Sequence, residues 1–171
     1  MITYYGTAEN SAGRRVNLDR VEARLAELGL ELPGPRKPVA NYVPAVQVGN
    51  LLFVSGHGPF TPEGQAYRGK VGRELTLEQG YDAARLTCLN CLASVKAVLG
   101  SLDKVKRVVK LLVMVNSAAG FNRQPEVANG ASDLLVALFG ENGRHARSAV
   151  GMAELPNSIP VEIEMILEVE A

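Results

Sequence analysis

No tryptophan occurs among the 171 residues, and aromatic residues make up only 5% of them. A surface that stacks nucleic-acid bases needs such rings, so a single-strand binding platform is not expected. Charge of neither sign is in excess, because 18 Lys and Arg are offset by 18 Asp and Glu. Proteins that grip a phosphate backbone carry a basic surplus or a basic stripe, which argues against nucleic acid as a partner. The one local basic cluster, Lys104, Lys106, Arg107 and Lys110, reads as a solvated strand face. Two cysteines do not make a disulfide framework. No apolar run reaches the roughly 18 to 20 residues of a membrane span. The stretch Met1–Gly6 has neither the basic start nor the apolar core of a signal peptide, so the expected location is the cytoplasm.

What is present is a hydrophobic fraction of 47% in a chain long enough for one domain with a real core. Leu18, Val21, Leu25 and Leu28 share a helical face over Asn17–Leu28, with Asn17 as the expected cap and Gly29 as the stop. Three prolines and a glycine in Leu32–Pro38 forbid regular structure and predict a linker. Residues 1–38 are therefore read as an N-terminal helix plus linker, and residues 39–171 as the main domain. Ala45–Val48 and Leu51–Ser55 flank Gly49-Asn50 as a hairpin, broken by Gly56-His57-Gly58-Pro59. A turn-rich stretch follows, with a short strand predicted at Gln65–Tyr67.

Thr76 and Gln79 have the spacing of a capping box and open a long helix to Leu99, stopped by Gly100. Its expected inner stripe is Tyr81, Ala84, Cys88, Cys91, Val95 and Val98. A strand is predicted at Val105–Asn116 and a second long helix at Pro125–Phe139. Two strands, His145–Ala153 and Pro160–Glu170, end the chain. The last alternates, with Val161, Ile163, Met165, Leu167 and Val169 on one face and Glu162, Glu164, Glu168 and Glu170 on the other. The order predicts an α+β sandwich, with two long helices on one face of a mixed sheet plus the extra N-terminal helix.

Candidate chemistry centres on Arg147 and Glu162. A guanidinium fork fits a carboxylate, and a carboxylate can hold or deliver a proton. The competing reading is two unrelated residues on a half-exposed hairpin. Cys88 and Cys91 have redox spacing but fall mid-helix on the apolar stripe, so core packing is expected. His57 and His145 lack ligand spacing, and a metal site is not expected. Ser55-Gly56-His57 reads as a strand end rather than a nucleophile with its base. Gly69-Lys70-Val71-Gly72 lacks the spacing of a phosphate loop and reads as a turn leading into the long helix.

The segment Asn41–Pro59 and the ending Ala146–Val150, Leu155-Pro156, Val161–Glu164 together resemble the opening and closing motifs of the RidA family. That family is also called YjgF, or endoribonuclease L-PSP. The resemblance covers roughly Val39 to Ala171, and the first 38 residues look like a longer branch. It implies a chorismate-mutase-like fold assembled as a homotrimer, with sites between subunits and with neither metal nor organic cofactor. It implies hydrolysis of reactive imines and enamines, such as 2-aminoacrylate, to 2-keto acids and ammonia.

Carried over by position, Arg147 is the expected carboxylate binder, Glu162 the residue that positions water, and Tyr42 a neighbour of the substrate. Ser148, Ala149, His57 and Asn129 are the further expected substrate contacts. Ala149 stands where the deaminases usually have cysteine, which preserves a backbone role and removes a thiol role. The rival functions are a 2-keto-acid binding protein that uses the same arginine, and RNA cleavage.

Overall fold

The computed structural model describes residues 7–9, 15–17, 20–35 and 40–171. A short antiparallel pair, β1 (Thr7–Glu9) and β2 (Arg15–Asn17), precedes α1 (Arg20–Glu27). Then come β3 (Ala45–Val48), β4 (Leu51–His57), a small hairpin of β5 (Phe60–Thr61) and β6 (Gly64–Gln65), and α2 (Leu77–Leu99). The chain ends with β7 (Val105–Asn116), α3 (Gln124–Phe139), β8 (Ala146–Met152) and β9 (Val161–Val169). Five strands form one sheet in the order β3-β4-β9-β7-β8. Only β7 and β8 pair in parallel; the other neighbours are antiparallel. The expected sandwich is present: α2 and α3 cover one face of this mixed sheet.

The alternating apolar residues make the core. Leu52 and Val54 of β4, Leu111, Val113 and Val115 of β7, and Ile163, Met165 and Leu167 of β9 are buried beneath the helices. Cys88 and Cys91 are buried in the same cluster as free thiols. Burial pushes the Cys88 thiol up to about 12 and Cys91 well above its ordinary value, so neither supplies a thiolate. Val98, expected on that stripe, is 43% exposed because it lies beyond the sheet's reach near the helix end.

Local signals set most helix ends. Gln79 N–H donates to Thr76 Oγ at 3.2 Å while Thr76 N–H donates to Gln79 Oε1 at 2.9 Å, completing the capping box. Gly100 takes φ +83° and stops the helix as expected. The helices α2 and α3 meet closely at Gly130, where an added Cβ would fall 2.0 Å from the Tyr81 carbonyl oxygen.

Several expectations need correction. Asn17 lies in β2, ahead of the start of α1 at Arg20, and Leu18 lies outside the described residues. Asp103, more than 80 residues away, caps α1 instead. Its two carboxylate oxygens accept from Arg20 N–H at 2.8 Å and Val21 N–H at 3.0 Å. Gly29 does end that helix, at φ +67°. Residues 31–35 adopt no regular structure, as the linker reading expects, and residues 36–39 lie outside the description. Residues 65–67 hold only the second strand of a hairpin, β6, which ends at Gln65.

The basic cluster is not one solvated face. Lys104, Lys106 and Arg107 are exposed, but Lys104 precedes the strand and donates to the Leu99 carbonyl at 2.7 Å, and half-buried Lys110 donates to Ser148 Oγ at 2.9 Å. The last two strands are not a hairpin either, because β7 lies between β8 and β9.

Candidate active site

The strand β8 is the edge of the sheet, and its register sets Arg147 beside Leu111 and Ala149 beside Val113. Both partners face the helices, so Arg147 points toward α3. There Nη1 donates to Asn129 Oδ1 and to Ser132 Oγ, each at 2.9 Å, and Nη2 donates to the Pro125 carbonyl at 3.3 Å. Three of the five guanidinium N–H groups are thus fixed, and two remain for a ligand. Arg147 is half-buried, so its fork is both held and reachable. Asn129 and Ser132 are three apart on α3, the spacing that puts them on one helix face. Ser132 was not singled out from the sequence, although that spacing from Asn129 was there to be read.

Glu162 stands elsewhere. It pairs with Met114 on the sheet face turned away from the helices. Arg147 is two strands over, roughly 10 Å across the sheet at about 4.8 Å per strand, and faces the other way. A single chain does not bring the two together. The Glu162 carboxylate lies over Gly56, whose missing Cβ would sit 2.1 Å from Oε1. Burial, then the neighbouring Glu164 charge, holds the Glu162 carboxyl above its ordinary range. Among the described residues no cation, Arg147 included, contributes to that shift.

The remaining expected residues are dispersed. Tyr42 is half-exposed in the segment entering β3, near Ser55, whose hydroxyl donates to the Val43 carbonyl at 2.7 Å. Ala149 is half-buried on the helix side of β8, and Ser148 faces the other way, held by Lys110.

His57 departs from expectation. Plain alternation from Val54 would turn it outward with Phe53 and Ser55. A bulge between Val54 and His57 shifts the phase by one residue and turns it toward α2. Its Nδ1 lies 2.6 Å from the Ser55 carbonyl and its Nε2 lies 2.7 Å from the Ser94 hydroxyl, so both ring nitrogens are engaged. Burial lowers its pKa, and the half-buried ring is held between β4 and α2 by both nitrogens. The same bulge places Gly56 under Glu162, a contact the sequence did not announce.

The turn containing Gly69 and Lys70 does lead into α2. Beside it is a cleft of about 420 Å³ lined by Arg68, Lys70, Arg73, Asn116 and Glu154. Lys70 Nζ donates to Asn116 Oδ1 at 2.6 Å and to the Ala153 carbonyl, and pairs with Glu154 at 3.1 Å. Its charge is satisfied internally. Among the described residues, no group of three or more His, Cys, Asp or Glu is placed to hold a metal, and no helix is long and apolar enough to cross a membrane.

The family model described as YjgF/chorismate mutase-like, a designation that also carries the word endoribonuclease, matches residues 22–163. The chain belongs to this YjgF/RidA family. The Trypanosoma cruzi protein TCP17 is 48% identical over 150 residues, which cover 87% of this chain and 94% of that protein. A crystal structure of an Agrobacterium tumefaciens protein of unknown function superposes with a TM-score of 0.82 at 46% identity, covering 89% of this chain and 93% of that one. A Dermatophagoides farinae protein named 2-iminobutanoate/2-iminopropanoate deaminase is 31% identical, over 82% of this chain and 95% of its own length. In this YjgF/RidA chain the motif residues Arg147 and Glu162 form two separate groups, each with its own supporting residues.

Proposed function

We propose that this protein hydrolyses reactive 2-imino acids and their enamine tautomers, such as 2-aminoacrylate, to 2-keto acids and ammonia. The observation that carries the reading is the division of labour between the two groups. Arg147, braced by Asn129 and Ser132, keeps free donors for a substrate carboxylate. Glu162, whose carboxyl burial holds above its ordinary range, is suited to take and return a proton. The named activity of the mite relative supports the same chemistry.

The two groups work together if a second copy carries its β8 edge to the β4/β9 face of the first. The outward sheet face favours this. Val46, Phe53 and Ile166 line up across three adjacent strands, and Val46 and Phe53 are 50% and 43% exposed. Val48 and Val150 add further exposed apolar surface on that face. A sheet face of this kind is usually covered by another subunit. We infer a homotrimer in which each site draws Arg147, Asn129 and the Ala149 backbone from one subunit, and Glu162 and Tyr42 from its neighbour.

In the reaction, Arg147 fixes the carboxylate and so orients the imine carbon. Glu162 takes a proton from water as its oxygen bonds to that carbon. The imine nitrogen, protonated at the outset, takes up the C=N electron pair and becomes the amine of a carbinolamine. The proton held by Glu162 passes to that amine, and the C–N bond breaks to release ammonia. Glu162 takes the hydroxyl proton as the C=O of the keto acid forms, then returns it to solvent. No metal or organic cofactor enters the scheme. Ammonia release from freshly generated 2-aminoacrylate tests the proposal. Wild type should accelerate it, and Arg147→Ala should abolish the acceleration. A wild type that binds 2-oxobutanoate through Arg147 without releasing ammonia would make the protein a keto-acid binder instead.

A further inference from the structure

The bracing of Arg147 continues one residue further than a clamp requires. His145 Nδ1 lies 2.6 Å from the Gly143 carbonyl. A carbonyl only accepts, so Nδ1 carries the proton of the neutral ring and Nε2 is bare. Nε2 lies 3.1 Å from Ser132 Oγ, and the bare nitrogen accepts the hydroxyl proton. With its proton committed, Ser132 Oγ turns a lone pair to Arg147, which donates to it at 2.9 Å. The chain of bonds therefore has one direction, with each member fixing the next.

We propose that Ser132 and His145 are positioning residues for the Arg147 clamp, and that an anion bound there draws a proton onto His145. This rests on the reading of Arg147 as the carboxylate binder. The charged groups around His145 are few. From β8 there is Arg147. Lys110 of β7 is engaged with Ser148 at 2.9 Å. Glu141 of the turn before β8 is paired with Arg144 at 3.1 Å. Asp133 of α3 accepts the Tyr81 hydroxyl at 2.9 Å. Of these, Arg147 is the charge that acts on the ring. Burial is the larger influence holding His145 below its ordinary value; the Gly143 carbonyl opposes it and Arg147 adds to it.

A bound carboxylate offsets the Arg147 charge and so raises the proton affinity of His145. By reciprocity, protonating His145 tightens carboxylate binding. The protonated ring donates through Nε2 to Ser132 Oγ and releases the hydroxyl proton to point at the ligand. Affinity should then rise as pH falls through the His145 titration, below the ordinary value of 6.5.

The test is calorimetric titration with 2-oxobutanoate between about pH 5 and 8, in buffers of different ionisation enthalpy. Wild type should bind about fivefold more tightly at the acid end and take up a proton on binding. His145→Gln keeps an acceptor for Ser132 but cannot titrate, so that slope and that uptake should disappear. Proton uptake at Glu162 is common to both proteins and cancels in the comparison. Ser132→Ala should bind about tenfold more weakly at neutral pH, and Ser132→Thr should recover most of the loss.

If His145→Gln keeps the wild-type slope while Arg147→Ala loses binding, the inference falls and the clamp stands. If Arg147→Ala binds like wild type, both fall. A ligand-free measurement decides independently: the His145 imidazole, followed by NMR, should titrate at higher pH in Arg147→Gln than in wild type. An unchanged midpoint would overturn the coupling.

Discussion

The Arg147 group and the Glu162 group are built on opposite physical plans. Around Arg147 every neighbour satisfies something: Asn129, Ser132 and the Pro125 carbonyl all accept from the guanidinium. Such a group is preorganised, and its geometry is settled before any ligand arrives. Around Glu162 the surroundings withhold satisfaction. Burial and Glu164 disfavour its charge, and its carboxylate rests over a glycine, with no donor to it among the described residues. One group is held rigidly; the other is left unsettled, as the proposed division between binding and proton exchange requires.

The sharpest way to break that contrast is a pair of near-isosteric changes. Glu162→Gln should slow imine hydrolysis by about a hundredfold or more and leave keto-acid binding nearly intact. Arg147→Lys keeps the charge, loses the fork, and should weaken binding by about 1.5–3 kcal/mol. Deamination rates and calorimetric affinities on both variants check this. Equal losses in both assays for both variants would erase the distinction.

The glycines beneath the two groups offer a second comparison. At Gly130 an added methyl meets the Tyr81 backbone at 2.0 Å, and a helix must move. Gly130→Ala should cost about 1–3 kcal/mol or more in a denaturant melt, and displace Asn129 with it. At Gly56 the obstacle is the far end of the Glu162 side chain, at 2.1 Å. Gly56→Ala should therefore leave the melting temperature within a few degrees of wild type while lowering deamination about tenfold. A large stability loss in Gly56→Ala would show that the carboxylate is anchored rather than adjustable.

The smallest effect concerns the stability cost of an unsettled carboxylate. A carboxyl whose folded pKa exceeds its unfolded value favours the fold while protonated. That contribution is complete below the unfolded pKa and is lost as pH rises through the folded one. For Glu162 the loss begins in the usual carboxyl range and is complete above the raised folded value, so its charge opposes folding once it ionises. Glu162→Gln should melt slightly higher than wild type at pH 7, and the difference should close near pH 4. A lower melting temperature at pH 7 would mean that the charge is stabilised by a partner.

Much of this protein was written in local sequence. The Thr76 and Gln79 capping box, the Gly29 and Gly100 stops and the alternation of β9 each act within a few residues, so the chain states them directly. The motif residues Arg147, Glu162 and Asn129 were legible in the same way as identities and spacings. What the sequence could not state was which residues meet. Insertion of β7 between β8 and β9 separates Arg147 from Glu162 and puts them on opposite faces. One bulge turns His57 inward and lays Gly56 under Glu162. Asp103, more than 80 residues along the chain, accepts from the first N–H groups of α1, a contact no local spacing announces. Local order follows from backbone preference and periodicity over a few residues. Strand order, register and long-range capping are settled only when the whole core closes, since they depend on contacts no short segment contains.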